Sequence, residues 1–151
     1  IMKAVERLSR RGLGALIVLE REVGLDRWIK TGTELNAEIN AAMLETIFTV
    51  PAPLHDGAVV IRDGKIAAAG CTLPPTESER SGYVLGLRHR AAIGLSEVSD
   101  AIVIVVSEET RAISLVNDGE IRRGLSLEDL QTEIGRILVG GGRKRSEPQP
   151  A

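Results

Sequence analysis

Aromatic side chains are nearly absent from this chain, since one Trp, one Tyr and one Phe make up 2% of its 151 residues. Single-stranded nucleic acids are bound largely by stacking of bases on aromatic rings, so this scarcity argues against that class of ligand. The formal net charge of -2 argues the same way, because a nucleic-acid footprint is normally a basic patch. We therefore expect no nucleic-acid partner, and a core built from aliphatic side chains.

Cysteine and long hydrophobic runs are scarce as well. Cys71 is the only cysteine, so no disulfide forms within the chain, a reducing compartment is expected, and we interpret the thiol as a small buried side chain. The longest apolar runs, near 15–19 and 101–106, are too short to cross a bilayer. Neither G-x-G-x-x-G nor G-x-x-x-x-G-K-[ST] occurs, which excludes the common dinucleotide and P-loop sites.

The hydrophobic pattern predicts one α/β domain with a central mixed β-sheet flanked by helices. The aliphatic runs have strand length and indicate strands covered on both faces. Further strands are predicted at 58–62, 65–72 and 111–116. The sequences Asp63-Gly64 and Asn117-Asp118-Gly119 predict antiparallel hairpins, so the sheet is not all parallel.

Helical spacing of apolar residues predicts the helices 2–11, 36–48, 86–98 and 126–139. Ser126 and Asp129 form a capping box at the start of the last one. The segment 74–82 is predicted to be a surface loop. The Gly-, Lys/Arg- and Pro-rich end of the chain is predicted to be disordered. The domain therefore covers 1–139, followed by a tail over 140–151.

Two short polar clusters contain both histidines of the chain. Residues 54–58 read Leu-His-Asp-Gly-Ala, and residues 86–92 read Gly-Leu-Arg-His-Arg-Ala-Ala. Carboxylates suit divalent cations, guanidinium groups suit phosphate oxygens, and glycine permits close backbone approach, so the combination suits a metal-bound polyphosphate. Asp56 is a candidate for holding Mg²⁺ or Mn²⁺ or for taking a proton from a hydroxyl, although the same dipeptide also forms an ordinary turn.

The second cluster lies at a predicted helix N-terminus, which attracts anions. Because successive helical residues point about 100° apart, Arg88 and Arg90 cannot both face one phosphate. The alternative is a solvated basic turn. A third cluster, Ser107-Glu108-Glu109-Thr110, follows the buried strand that begins at Ala101. Ligands of open α/β sheets bind beyond strand ends, and the alternative for this cluster is an ordinary polar turn.

Together these motifs resemble the catalytic domain of diadenylate cyclases, the DisA-N family that makes cyclic di-AMP. The resemblance is closest to the membrane-anchored CdaA-like type and covers nearly the whole chain apart from its tail. The matching segments, in order and spacing, are Gly14 to Arg21, Pro53 to Ala58, Arg88 to Asp100 and Ser107 to Glu109.

The resemblance implies a nucleotidyltransferase that joins two ATP molecules by two phosphoryl transfers and releases two pyrophosphates. It implies a homodimer in which two domains meet face to face, each holding one ATP, with Mg²⁺ or Mn²⁺ as cofactor. It also implies a cytoplasmic domain of a membrane-anchored protein, with membrane contact only through a segment absent from this chain.

Carried over position by position, the resemblance assigns three groups of site residues. The catalytic residues are Asp56, Arg88 and His89, and the metal ligands are His55 and Asp56. The nucleotide-binding residues are Gly57, Ala58, Leu73, Leu87, Arg88, His89, Ser107, Glu108 and Glu109. Asp56 would activate the 3′-hydroxyl and organise the cation, whereas Arg88, His89 and Ser107 would bind phosphates. Arg90 is the weaker candidate for direct contact.

Leu87 departs from the family pattern, which usually reads Gly-Thr-Arg-His-Arg. Losing the threonine hydroxyl removes a hydrogen bond to phosphate worth about 1.5–3 kcal/mol. Thr72 likewise stands where a tyrosine is common. The departure at Leu87 raises the alternative of a catalytically impaired ATP-binding regulatory domain of the same fold. A third class is a structural interaction domain that uses the basic helix start as a docking surface.

Overall fold

A mixed β-sheet forms the centre of the molecule. The computed structural model describes residues 1–78 and 85–146, with side chains described as far as Gly140. Within these residues seven strands form one sheet in the order β2-β4-β3-β1-β5-β6-β7. The strands are β1 (Ala15–Leu19), β2 (Thr33–Glu38), β3 (Ala58–Arg62), β4 (Lys65–Cys71), β5 (Ile102–Val106), β6 (Ile113–Asn117) and β7 (Glu120–Arg122).

Strands β1 and β3 are parallel, and every other neighbouring pair in the sheet is antiparallel. The aliphatic run of β5 is buried at each of its residues, and β1 is buried at all but Leu19. Continuous apolar runs of this kind belong to strands that are covered on both faces. The predicted fold class, a mixed sheet in an α/β domain, is therefore confirmed.

Helices cover both faces of the sheet. They are α1 (Met2–Arg11), α2 (Asp26–Ile29), α3 (Ala41–Phe48), α4 (Leu87–Glu97) and α5 (Leu127–Ser146). One core cluster joins the buried residues of α1, α3 and α5 to one face, and a second joins α2 and α4 to the other. None of the helices in the described part of the chain is both long and apolar enough to cross a bilayer.

Both predicted hairpin turns are confirmed. Asp63 and Gly64 have φ of 50° and 74°, and Asp118 and Gly119 have φ of 56° and 79°. Two successive positive φ values define the turn whose twist matches that of antiparallel strands. The capping prediction is confirmed for Ser126, because the backbone N–H of Asp129 donates to Ser126 Oγ at 3.0 Å.

The interpretation of Cys71 is also confirmed, because its side chain is fully buried and burial raises the pKa of its thiol to about 11. The thiol therefore stays protonated at neutral pH and behaves as a small apolar group.

The predicted helix 36–48 is wrong at its beginning. Residues up to Glu38 belong to strand β2, and helix α3 starts only at Ala41. Asn40 provides the start signal, since its side chain accepts a hydrogen bond from Met43 N at 2.8 Å. Strand β2 was missed because it is an edge strand in which only Leu35 and Ala37 are half-buried, so its hydrophobic alternation is weak.

The last helix runs past its predicted end at Val139. Helix α5 reaches Ser146, so residues 140–146 are helical where a disordered tail was predicted. Glycines cost about 1 kcal/mol each relative to Ala inside a helix but do not stop it, and the first proline of this region is Pro148. Residues 147–151, and positions 79–82 of the predicted surface loop, lie outside the described residues. The domain boundary at 139 stays a prediction.

Candidate active site

One end of the sheet collects the polar clusters of the sequence, beginning with β1 and β3. These strands are parallel, with Ile17 opposite Val59. Gly14 and Asp56 each precede such a paired residue by three positions. They therefore start from the same end of the sheet on neighbouring strands, which lie about 4.8 Å apart.

Strands β5 and β4 end at the same place. In β5, Val106 lies opposite Ala15, so Ser107 emerges beside the start of β1. In β4, Cys71 lies opposite Ala58, so the residues that follow it emerge beside the start of β3. The topology thus brings all three clusters to one end of the sheet, although they are far apart in sequence.

Arg88 at the start of α4 lies between β1 and the loop after β5. A side-chain Cβ at Gly14 would stand 2.6 Å from Arg88 Nη1, so only a glycine leaves room for the guanidinium group. Arg88 Nη1 also pairs with Glu108 Oε1 at 3.4 Å. Sequence reasoning missed this role of Gly14, and its one signal was a glycine directly before a buried strand.

His89 is buried, with 6% of its surface exposed. Burial lowers the pKa of its imidazole, and the positive charges of Arg123 and Arg88 lower it further. The ring is therefore neutral at pH 7. A neutral ring can donate a hydrogen bond to an anion but brings no positive charge. The predicted phosphate-binding role of His89 is therefore limited to hydrogen bonding.

Ser107 and the two glutamates form a tight polar turn. Ser107 Oγ accepts hydrogen bonds from the backbone N–H groups of Glu109 at 3.2 Å and Thr110 at 3.1 Å. A serine hydroxyl that accepts such bonds can still donate its own proton to an acceptor. Glu108 and Glu109 are exposed, and Glu108 is the one that contacts Arg88.

The Asp56-Gly57 step packs on the end of β4. Gly57 has φ of 113°, and a Cβ there would stand 2.8 Å from the carbonyl carbon of Gly70 and 2.9 Å from Cys71 O. No residue with a side chain fits this position, so Gly57 fixes how the loop enters β3. Asp56 itself is exposed, and within the described residues its carboxylate has no hydrogen-bond or ion-pair partner.

His55 is held by its own loop. Its Nδ1 lies 2.7 Å from Ala52 O, a contact that fixes the proton on Nδ1 and leaves Nε2 as the acceptor nitrogen. Metal-binding histidines commonly make such a hydrogen bond to a carbonyl. In the described part of the chain, no group of three or more His, Cys, Asp and Glu side chains is placed to hold a metal ion. His55 and Asp56 therefore offer a partial set of ligands.

The predicted apolar contacts divide into two kinds. Ala58 and Leu73 are buried in the core beside the site, so a ligand meets the Ala58 backbone and not its methyl group. Leu87 is 88% exposed at the start of α4 and packs against little of the described molecule. The Leu87 side chain is therefore not fixed by packing against the described residues.

Arg90 has a structural use. Its Nη2 donates to Thr76 O at 2.8 Å, while Thr76 N donates to Arg90 O at 3.0 Å. These bonds tie the segment after β4 to α4. Arg90 therefore has a structural role, whereas Arg88 lies at the site. Helical geometry requires this difference, because successive residues point in different directions.

Comparison with known proteins identifies the family. Residues 2–121 match the family DAC, described as "DisA bacterial checkpoint controller nucleotide-binding". The chain belongs to this family. It is 45% identical over 131 residues to cyclic di-AMP synthase CdaA of Bacillus subtilis, covering 87% of this chain and 48% of that protein. It is 47% identical over 139 residues to a diadenylate cyclase of Listeria monocytogenes, covering 92% and 51%.

The chain thus spans about half the length of the curated relatives it matches. Among solved structures, a double mutant of DacA from Staphylococcus aureus superposes with a TM-score of 0.86 at 45% identity, over 89% of this chain and 90% of that one. A protein from Bacillus cereus described as a hypothetical membrane spanning protein gives 0.78 at 49% identity, over 82% and 60%. These likenesses confirm the predicted resemblance and fold.

Proposed function

We propose that this chain is the catalytic domain of a diadenylate cyclase, which condenses two ATP molecules into cyclic di-AMP and releases two pyrophosphates. The observation that carries the proposal is the gathering of Asp56, Arg88 and Ser107 at one end of the sheet. A free carboxylate beside a phosphate-binding arginine and hydroxyl is what an attack on a phosphate by an alcohol requires.

The reaction consists of two equivalent phosphoryl transfers. In each, the 3′-oxygen of one ATP forms a bond to the α-phosphorus of the other, and the bond from that phosphorus to the bridging oxygen breaks. Asp56 takes the hydroxyl proton, and pyrophosphate leaves with the electron pair of the broken bond. The chain contributes mainly position and charge, which are the usual sources of rate in phosphoryl transfer.

The proposal includes a face-to-face homodimer. Each ATP supplies a nucleophile to the other, so two sites must open toward one another. Asp56 and Leu87 are exposed at the sheet end, and Glu109 is exposed beside them. An open site of this kind supports assembly from two chains, because the described residues of one chain leave these side chains exposed.

A divalent cation, Mg²⁺ or Mn²⁺, completes the proposed site. Asp56 and His55 Nε2 would hold it, and the partial ligand set fits an ion that is bound jointly with substrate phosphates and water. When bound, such an ion neutralises charge on the phosphate oxygens and polarises the α-phosphate.

The remaining site residues have distinct proposed tasks. Arg88 and Ser107 bind phosphate oxygens, and neutral His89 donates a hydrogen bond to them. Gly57 and Ala58 present backbone to the nucleotide, while Leu73 and Leu87 supply apolar contact. Glu108 orients Arg88 through their ion pair, and Glu109 adds to the polar rim.

The catalytically impaired regulatory domain is the less favoured reading. It was prompted by Leu87, which stands where the family usually has threonine. Leu87 projects into solvent and takes little part in packing, so the change leaves the arrangement of Asp56 and Arg88 intact. Relatives named as cyclases or synthases at 45% and 47% identity also support an active enzyme.

The location is proposed to be the cytoplasmic side of a membrane, as a domain of a longer anchored protein. The solved structure of the B. cereus protein described as membrane spanning supports this placement. Contact with the bilayer would be made by a segment outside residues 1–151.

Replacement of Asp56 by Asn tests the function. The purified chain is incubated with ATP and either Mg²⁺ or Mn²⁺, and products are identified by mass spectrometry. We expect cyclic di-AMP from the wild type and a loss of at least about 100-fold in Asp56→Asn, because removing a general base costs that much. Asp63→Asn is the matched control, since Asp63 lies in the turn at the opposite end of β3. Equal product formation by all three proteins would contradict the assignment of Asp56.

A further inference from the structure

Residues 72–76 follow β4 and form a strap that is fixed to helix α4. Its last residue, Thr76, has 3% of its surface exposed. The Thr76 backbone N–H donates to Arg90 O at 3.0 Å, and Arg90 Nη2 donates to Thr76 O at 2.8 Å. The Thr76 hydroxyl donates to Glu97 Oε2 at 3.0 Å and accepts from Ser78 N at 3.0 Å. Every polar atom of this buried residue is therefore paired, which anchors the strap.

Gly94 lets the strap lie directly on the helix. A Cβ at Gly94 would overlap the carbonyl oxygen of Pro74 and stand 2.7 Å from Thr76 N. These are backbone atoms, so the strap itself would have to move. Arg90, Gly94 and Glu97 stand at the spacing i, i+4 and i+7, which places them in one row along α4. One face of the helix thus holds the strap.

The strap is stiff between its two ends. The rings of Pro74 and Pro75 fix φ near about −65°. Each proline also restricts the residue before it to extended conformations. Few backbone torsions between Leu73 and Thr76 are therefore free to turn, so the position of Thr76 on α4 determines where Leu73 stands.

The first residues of the strap lie beside the proposed site. Cys71 is paired with Ala58 in the sheet, so Thr72 and Leu73 emerge next to the start of β3. Thr72 is exposed, and its backbone N–H donates to Thr31 Oγ1 at 2.8 Å. The strap therefore borders the site on the side of β4.

This side of the site suits the nucleoside part of ATP. Residues 70–75 include no charged side chain, and burial raises the pKa of the Cys71 thiol to about 11, so the thiol is neutral. Arg88 and Ser107 lie on the opposite side of β3, beside β1 and β5. Phosphate groups favour the positive charge and the hydroxyl there, which leaves the uncharged side to the base and the ribose.

We propose that Thr76, Gly94 and Glu97 are positioning residues for nucleotide binding. They hold the strap on α4 and thereby set where Leu73 meets the nucleoside of ATP. Because α4 also carries Arg88, one helix fixes the spacing between the contacts to the nucleoside and the contacts to the phosphates. The inference rests on the proposed function for the identity of the nucleotide.

Calorimetric titration of the chain with a non-hydrolysable ATP analogue and with inorganic tripolyphosphate tests the proposal. Thr76→Val gives a side chain of similar size but removes the hydrogen bond to Glu97. We expect its Kd for the ATP analogue to rise about 10-fold, the size of one hydrogen bond to a charged group. Its Kd for tripolyphosphate should not change, because this ion has no nucleoside and Arg88 is untouched.

Two pairs of variants separate positioning from folding. Thr76→Ser keeps the hydroxyl and should bind the ATP analogue as the wild type does. Thr46→Val is the matched control, because the Thr46 hydroxyl donates to Ala42 O within α3, on the opposite face of the sheet. It should leave both constants unchanged. Gly94→Ala should also raise the Kd for the analogue, whereas Gly135→Ala should not, because open space surrounds Gly135 in α5.

Two results would overturn the positioning role. They are an unchanged Kd for the ATP analogue in Thr76→Val, and a loss of tripolyphosphate binding equal to the loss of analogue binding. Both titrations are made without turnover. An unchanged analogue Kd in a chain that makes cyclic di-AMP would therefore overturn the positioning role alone. A chain whose analogue affinity depends on Thr76 but which makes no cyclic di-AMP would contradict the proposed function and leave the positioning role standing.

Discussion

At the scale of single residues, the position of the site's side chains depends on two glycines that leave room for them. Arg88 reaches the site only because Gly14 has no side chain, and the loop that carries Asp56 enters β3 only because Gly57 adopts a positive φ. These glycines contact no proposed reacting atom. They determine where the arginine and the carboxylate stand, so the geometry of the site depends on them.

Gly14→Ala is expected to impair catalysis much more than stability. The added methyl would stand 2.5 Å from Arg88 Cζ, so the flexible guanidinium group must move away from the site. Cyclic di-AMP formation should fall about 10-fold or more, as expected when a phosphate-binding group is displaced, while the melting temperature changes little. Gly135→Ala is the control, because open space surrounds Gly135 in α5. It should stabilise the chain by about 0.5–1 kcal/mol without affecting activity, and equal activity of the two variants would contradict this role of Gly14.

The polar clusters of the proposed site could be predicted from the sequence, but the residues that position them could not. Asp56, Arg88 and Ser107 stand in recognisable polar clusters, and the structure brings those clusters together. Gly14 has only one local signal, its place directly before a buried strand, because its importance arises from its contact with Arg88, which is distant in sequence. The burial of His89, and hence its neutral state, also follows from packing and not from its neighbours in the chain.

At the scale of helices and strands, strong local sequence patterns predicted the elements correctly, and elements with weak patterns were missed. The aliphatic runs of β1 and β5 and both hairpin turns were predicted correctly, because each has a specific physical cause. Edge strand β2 and the short helix α2 were missed. Strand β2 exposes most of its residues, so its hydrophobic alternation is weak, and helix α2 has only four residues, too few for a helical pattern to show.

Helix α3 offers a test of how a local signal sets an element boundary. Asn40→Ala removes the side chain that accepts from Met43 N, and the expected cost is about 1 kcal/mol in the free energy of unfolding. Chemical denaturation followed by circular dichroism measures this. Asn40→Ser keeps a capping oxygen and should retain most of the stability. If both variants unfold like the wild type, the hydrogen bond does not determine where α3 begins.

At the scale of the whole molecule, one end of the sheet carries the residues of the proposed site. Asp56 lies shortly before β3, Gly14 directly precedes β1, and Ser107 directly follows β5. Helix α4 covers this end of the sheet from one face. The exposed positions of Asp56 and Leu87 leave this end open. The proposed chemistry requires two such ends, since each nucleotide is both nucleophile and electrophile.

The stoichiometry and concentration dependence of the reaction test this account most directly. Products of the purified chain with ATP and Mg²⁺ or Mn²⁺ are quantified over a range of chain concentrations. The account predicts one cyclic di-AMP and two pyrophosphates for every two ATP consumed, with a rate per chain that rises as chains associate. Release of ADP and phosphate without cyclic di-AMP, or no consumption of ATP by a chain that forms dimers, would contradict it.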